Sequence, residues 1–309
     1  MRRLSLMPLL LACVSFLFGG CAIFRKSSTP PELARLGFKA SAGDFRVFHH
    51  TGKGVLKLFP EKRFCYINGM QFYLPHAVTV DDDGRCRVSD LSIEKVIKPL
   101  FAGVPRKTLI RTVLLDPGHG EHNFGAVGKK YKEKDLNLSL AKAISAALKK
   151  RGIQVRMTRM SDKFLTLDQR GKLARKKNGD LFLSIHHNAS PNRDACGVET
   201  YIVTPGGAAS SNDAENQIHR FKVQGNSCDA ENIRLAALMQ KNMVKYSGRV
   251  DRGVRFARFR VLTLSTLPGA LIEAGFVSNE KEESSCGKAG EQRKIAEAIA
   301  DAIVSYNSK

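Results

Sequence analysis

The sequence predicts an α/β fold: a mixed, mainly parallel sheet flanked by helices, preceded by a small β-rich domain. From residue 109 to 309, apolar runs of strand length alternate with longer segments whose apolar residues recur at helical spacing. From 44 to 104 the segments are short, aromatic or alternating, and punctuated by turn signals. A chain of 309 residues with 43% hydrophobic content has material for packed cores and the length of about two domains. Wholesale disorder and a multi-span membrane protein are excluded.

Residues 1–20 read as a signal peptide, with Arg2 and Arg3 ahead of an apolar run over 9–17. That run is too short to span a bilayer, which takes about 20 residues. Gly19-Gly20-Cys21 then resembles a bacterial lipobox in which Cys21 is lipidated. Phe18 departs from the usual Leu, Val or Ile, and ordinary cleavage with secretion is the alternative. Residues 21–43 contain Ser27-Ser28-Thr29-Pro30-Pro31, the composition of a tether behind the anchor cysteine.

Strands are expected over 45–48, 55–59, 64–67, 71–74 and 77–80, separated by Gly52 to Gly54, Asn68-Gly69 and Asp81 to Gly84. Ser89 reads as the N-cap of a helix whose apolar face is Leu91, Ile93, Val96, Ile97 and Leu100. Nothing in 44–104 clusters as a catalytic site, and its size is that of a binding or positioning module.

Beyond Pro105-Arg106-Lys107 the expected order is strand 112–115, helix 135–150 stopped by Gly152, strand 153–157, helix 167–176, and strands 181–185 and 198–203. An insertion without period covers 204–230. Helix 233–246, strands 260–264 and 270–273, and an amphipathic helix 292–306 close the chain.

The chain carries 50 Lys+Arg against 29 Asp+Glu, a net charge of +21, which suits nucleic acid, anionic lipid or an anionic extracellular polymer. The leader removes nucleic acid from that set. Most basic clusters, such as Lys129-Lys130 and Lys149-Lys150-Arg151, read as solvated helix faces. Of seven cysteines, Cys13 leaves with the leader and Cys21 belongs to targeting. Cys65, Cys86, Cys196, Cys228 and Cys286 remain, an odd number. No C-x-x-C occurs, against a zinc ribbon or a thioredoxin-like centre.

Ligands of open α/β sheets bind at the carboxyl ends of strands, and three polar loops fall there. They are Asp116-Pro117-Gly118-His119-Gly120, Ser184-Ile185-His186-His187-Asn188, and Glu273 after Leu271-Ile272. Glu133, at the start of a helix, is a fourth candidate. Catalytic zinc takes three protein ligands of the His and carboxylate kind and keeps a position for water. His119, Glu133 and His186 supply such a set, and Glu273 could act as the proton carrier. Spacing alone leaves two readings open: a metal site, or loop histidines bonded to backbone with Glu133 a solvated helix start.

The wording of the segments is more specific. Leu115-Asp116-Pro117-Gly118-His119-Gly120, Glu133-Lys134-Asp135-Leu136-Asn137-Leu138, Asp180 to His186, Gly197-Val198-Glu199-Thr200-Tyr201, Arg252-Gly253-Val254 and Glu273-Ala274-Gly275-Phe276-Val277-Ser278-Asn279 occur in that order. Together they closely resemble the zinc-dependent N-acetylmuramoyl-L-alanine amidases of bacterial cell-wall remodelling, over about residues 111–306. The resemblance implies Zn2+ held by His119, Glu133 and His186, with Glu273 as the catalytic carboxylate. It also implies cleavage of the amide between N-acetylmuramic acid and the L-alanine of the stem peptide, during wall remodelling or daughter-cell separation. The substrate would be peptidoglycan or a lipid-linked muropeptide, with a division-machinery activator as a partner. The compartment would be the periplasm, on a membrane-anchored lipoprotein.

Around that set, His187 stands where relatives carry a small residue and is a spare ligand or, facing the other way, a support. Asn188 orients a ligand or touches substrate, Arg170 is a helix-to-sheet structural partner ahead of a catalytic group, and Glu199 is structural or an outer support. Some relatives carry an autoinhibitory helix near the site, and only 204–230 is long enough for one here. Two other classes compete. Four S-x-x-K strings, at Ser92, Ser139, Ser278 and Ser285, are compatible with a penicillin-sensitive DD-carboxypeptidase, though K-T-G is absent. A non-catalytic wall-binding lipoprotein would have lost a ligand or the base, and all four residues are present.

Overall fold

The structure is a computed structural model and describes residues 29–42, 44–82, 84–102, 109–175 and 179–308. The leader and Cys21 lie outside the described residues. Among the described residues no helix is long and apolar enough to cross a membrane.

The chain enters through α1 (Pro31–Ala34) and five strands: β1 (Phe38–Ser41), β2 (Asp44–His50), β3 (Gly54–Leu58), β4 (Phe64–Ile67) and β5 (Met70–Tyr73). A short hairpin of β6 (Thr79–Val80) and β7 (Cys86–Arg87) leads to α2 (Asp90–Ser92), a π turn (Ile93–Ile97) and α3 (Lys98–Phe101). Ser89 caps this helical run, its Oγ accepting the Ser92 N–H at 3.2 Å. The tether expectation stops short, because from Pro31 the chain is folded and Leu33 and Phe38 enter the core. The alternation of β2 to β5, expected from the sequence, turns Phe48, Leu56, Leu58, Cys65, Ile67 and Phe72 inward.

The second part runs β8 (Thr112–Pro117), α4 (Glu133–Lys150), β9 (Gln154–Met157), α5 (Leu167–Arg175), β10 (Leu181–Asn188) and β11 (Val198–Val203). It continues through α6 (Asp229–Ser247), β12 (Asp251–Ala257), α7 (Arg260–Leu264), β13 (Gly269–Phe276), α8 (Glu280–Cys286) and α9 (Ala289–Asn307). Residues 260–264, expected as a strand, form α7. This five-residue run is too short for periodicity to distinguish, and it buries Val261 and Leu262 against α5 and the sheet. β12 was not anticipated, its pattern broken by Gly253 at φ +87. Residues 204–230 are mainly loop, with one 3-10 turn (Gln224–Cys228).

All but β6 and β7 join one sheet of order β1-β2-β3-β4-β5-β12-β11-β13-β10-β8-β9. The segment expected as a separate small domain over 44–104 is therefore the outer part of the same sheet, joined where β5 runs parallel to β12 with Phe72 beside Val254. The join is reinforced by Gln71 N–H to Asp251 Oδ2 at 3.0 Å and Arg255 Nη2 to the Tyr73 hydroxyl at 2.7 Å. α4, α6 and α9 cover one face, where Leu140, Ile144, Met239, Met243, Ile299 and Ile303 are buried with the inward side chains of both halves. α5 and α7 cover a smaller part of the other face over Leu114, Phe182 and Leu271. Cys65, Cys86, Cys196, Cys228 and Cys286 are all free thiols.

Candidate functional site

The parallel strands β8, β10 and β13 end side by side, and the site is built from those ends on the face shared with α5 and α7. β8 runs into Gly118, where a Cβ would collide with the His186 ring, so only glycine lets the two strand ends approach. His119 follows at φ +62, an unfavourable conformation for a side-chain-bearing residue. Arg170 holds it there by donating from Nη2 to the His119 carbonyl at 2.7 Å. His119 Nδ1 pairs with Asn123 Oδ1 at 2.7 Å; since the amide oxygen only accepts, Nδ1 carries a proton and Nε2 is the ring atom available to a metal.

The other ring nitrogen, Nε2, faces Glu133. Nε2 lies 3.2 Å from Glu133 Oε1, and His186 Nδ1 lies 2.8 Å from the same oxygen. The ligand atoms of His119, Glu133 and His186 all fall within 4.8 Å of one another. Glu133 is the first residue of α4 and is buried, so the solvated-helix-start reading fails for it. Burial raises its pKa, but hydrogen bonds and charge from His119 and His186 outweigh this and hold the carboxyl well below the ordinary range. The Ala126 N–H also donates to its Oε2 at 2.8 Å, and Asn137 Nδ2 to Oε1 at 3.2 Å. Burial lowers the His119 pKa, and the adjacent Glu133 more than compensates, leaving it raised.

Glu273 stands beside His186 in the β10–β13 register and beside Glu199 in the β11–β13 register. It is buried, and its Oε2 has no hydrogen-bond partner among the described residues. Burial, then the charges of Glu133 and Glu199, push its carboxyl well above the ordinary range. Glu199 is held by Arg252 Nε at 2.5 Å and Arg255 Nη1 at 3.6 Å, and it accepts from Asn188 Nδ2 at 3.1 Å. Asn188 thus touches Glu199 rather than the His–Glu–His group.

His187 points to the other face of β10. Its Nδ1 meets Asn137 Oδ1 at 2.8 Å, and burial brings its pKa down to about 3. The spare-ligand reading therefore has no geometric support. Arg170 reaches from α5 to Asp116 Oδ1 at 2.7 Å and to the Pro117 carbonyl at 2.7 Å. The sequence reading did not single out Asp116, Asn123, Asn137 or Arg159 as supports. Arg159 donates to the carbonyls of Pro117, Gly118 and Lys134, tying the His119 loop to α4. Asn137 was findable, being four residues after Glu133 on one helix face.

A cavity of about 330 Å³ holds His119, His186 and Glu273 on one side and Phe164, Leu167, Phe259 and Val261 on the other. A second, more polar cleft of about 550 Å³ opens off the strand ends between Lys129, Arg193, Asp194, Ser278, Glu280 and Lys281. The S-x-x-K serines form no comparable centre. Ser92 is fully buried with Lys95 turned to Asp229 at 2.8 Å, and Ser139 on α4 donates to Gln292 Oε1 on α9 at 2.7 Å.

Three clustered nitrogen and oxygen donors are the complement of a catalytic zinc site. A buried carboxylate on the wall of the same cavity, as Glu273 is, is what a proton carrier needs. The donor set fits zinc, and a metal held there would make the arrangement that of a metal-assisted hydrolase. Comparison with known proteins narrows this class. The N-acetylmuramoyl-L-alanine amidase family model matches residues 113–305, and the chain belongs to that family. N-acetylmuramoyl-L-alanine amidase LytC of Bacillus subtilis is 35% identical over 195 residues, 63% of this chain but only 35% of LytC. N-acetylmuramoyl-L-alanine amidase AmiA of Escherichia coli is 33% identical over 219 residues, 63% of this chain and 76% of AmiA. The crystal structure of N-acetylmuramoyl-L-alanine amidase from Clostridium difficile 630 superposes with a TM-score of 0.54 at 32% identity, over 65% of this chain and 99% of that one.

Proposed function

We propose that the chain hydrolyses the amide between the lactyl group of N-acetylmuramic acid and the L-alanine of the stem peptide in peptidoglycan, with zinc bound by His119, Glu133 and His186. The observation that carries this reading is the His–Glu–His cluster beside the unpartnered Glu273 Oε2, in a chain whose family is that of the muramoyl-alanine amidases. Bound zinc would supply Lewis acidity toward the scissile carbonyl and the attacking water. Glu273 takes the proton of that water on its carboxylate and delivers it to the departing alanine amine, so water is consumed and one carboxylic acid and one amine are released. Burial of Glu273, by raising its proton affinity, favours its taking the proton. Asn123 fixes the His119 tautomer, and Arg170 and Arg159 fix the loop that carries it. Phe164, Leu167 and Phe259 give the cavity an apolar side.

We assign the protein to the envelope, exported by residues 1–20 and anchored through Cys21. A solved relative, the CwlD amidase of Clostridioides difficile, is in complex with the GerS lipoprotein. By analogy an activating partner is proposed here as well.

The test is mass analysis of muropeptides from purified sacculi, with zinc and with a chelator. Stem peptides and peptide-free glycan are expected only with zinc. His119→Ala is expected to lose both metal and turnover. Glu273→Ala is expected to keep the metal and lose turnover by at least about 10². Loss of D-alanine alone would instead indicate carboxypeptidase chemistry, and folded, zinc-loaded protein that releases nothing would refute the proposal.

A further inference from the structure

His187 on β10 and Asn137 on α4 are buried against each other, and neither lines the catalytic cavity. What joins them to it is Glu133. Asn137 stands one helical turn after Glu133, and its Nδ2 donates to Glu133 Oε1 at 3.2 Å and to the Gly118 carbonyl at 3.3 Å. An ionised carboxylate and a backbone carbonyl only accept, so the amide turns its nitrogen toward them and its oxygen away. That oxygen meets His187 Nδ1 at 2.8 Å, and an amide oxygen takes only a donor, so His187 Nδ1 carries a proton. The His187 backbone N–H also donates to Glu133 Oε1, at 3.3 Å.

The contacts on the Glu133 carboxylate are of two kinds. Those from His119 and His186 come from the other two ligands, which would give their nitrogens to a bound metal. The rest support the carboxylate itself: the Ala126 N–H on Oε2, and Asn137 Nδ2 with the His187 N–H on Oε1. Of these supports the Asn137 amide can turn over, because rotation about the terminal bond of an Asn side chain has two broad, similar wells. A half-turn would set its oxygen against Glu133 Oε1 and the Gly118 carbonyl, acceptor against acceptor. The His187 Nδ1–H is bonded only in the orientation observed; after the turn it would meet the amide NH2, donor against donor.

We infer that His187 is a positioning residue for the metal centre: its Nδ1–H locks the Asn137 amide with its nitrogen toward Glu133, and Asn137 in turn keeps Glu133 Oε1 in place to bind the metal. The inference rests on the zinc-dependent amidase reading and deepens it. His187 touches neither metal nor substrate and acts through Asn137, as groups behind a metal ligand do when they orient it. The competing role for a buried imidazole here is packing, since Leu140 and Ile295 border the same small void as His187. Packing asks only for bulk, whereas positioning asks for a hydrogen-bond donor aimed at Asn137 Oδ1.

The test uses the full chain and reads zinc affinity, by competition with a chromogenic chelator, beside thermal melting. Methionine and glutamine side chains have nearly the same length, and only glutamine has an N–H to give Asn137 Oδ1. His187→Met is expected to weaken zinc binding about tenfold, and His187→Gln to stay within about threefold of the wild type. Where His187→Met does not fold, His187→Leu takes its place with the same expectation. Adding His187→Met to Asn137→Ala is expected to weaken binding by less than about twofold beyond Asn137→Ala alone, since His187 then has no amide to hold. Equal affinities for the donor and non-donor variants, or additive losses in the double variant, would overturn the positioning role whatever the melting temperatures do. Wild type that binds zinc and cleaves nothing would end the amidase reading and leave these affinities to decide His187. Wild type that binds no zinc would end both.

Discussion

Replacing Arg170 by alanine probes how the site is held. The Arg170–Asp116 pair is buried, with side-chain exposures of 3% and 0%, and removing one partner of such a pair costs about 3–5 kcal/mol because the other charge is stranded. Asp116 keeps donors from Thr158 Oγ1 at 2.6 Å and Ser184 Oγ at 3.0 Å, which argues for the lower end. Against that, the carbonyls of Pro117, His119 and Leu165 each lose a charged donor. A loss of about 3–4 kcal/mol converts to a fall in Tm of roughly 6–16 °C, at about 2–4 °C per kcal/mol for a chain of this size. Thermal melts and urea titrations of Arg170→Ala and Arg170→Lys measure it. Lysine keeps the charge but cannot span Asp116 and the carbonyls together, so it should recover only part. Zinc affinity of the folded Arg170→Ala protein should also drop about 10–100-fold, because the His119 loop loses its brace. A fall in Tm below about 2 °C, or unchanged zinc affinity, would refute the claim that Arg170 positions the site.

Gly125 sits at φ +66, and a Cβ there would meet both Glu133 Oε2 and the His119 ring; Gly125→Ala should therefore lose most zinc affinity, read by a competitive zinc chelator, with the unfolding free energy in urea lowered by about 1–3 kcal/mol. His187 gives an acid-side prediction: burial holds its folded pKa at about 3, while the unfolded value is about 6.5. Between those values the unfolded chain binds a proton that the native chain excludes, so stability falls as pH drops from 6.5 toward 3. Urea midpoints between pH 7 and 5 should decline more steeply in the wild type than in His187→Asn, and parallel declines would show that His187 does not titrate this way.

The catalytic part of the fold is legible in the sequence because its strands are continuous apolar runs and its helices carry one-sided faces, as in β10 and α4. Where an element lacks such a signature, the sequence misleads. α7 is a five-residue apolar run that tertiary packing against Gly171 and the sheet turned helical, and β12 is interrupted by Gly253. The join between β5 and β12 has no local signal, since strand partners far apart in sequence are chosen by edge complementarity. His119, Glu133, His186 and Glu273 converge because parallel strand ends converge. The residues around them were harder to see: Asn123 and Asn137 act through hydrogen bonds that depend on a loop path and a helix rotation rather than on a spacing.

The single β5–β12 seam bears on how the chain can be divided. β12 has a free side in the catalytic part alone, and β5 is what pairs with it there, at Val254. A fragment beginning near residue 109 would present β12 as a bare edge with the apolar residues of α6 and α9 exposed below it, the combination that seeds intermolecular strand pairing. The amino-terminal strands thus act as a built-in stopper against self-association, and solubility of the isolated catalytic portion should depend on placing a charge or a proline on β12.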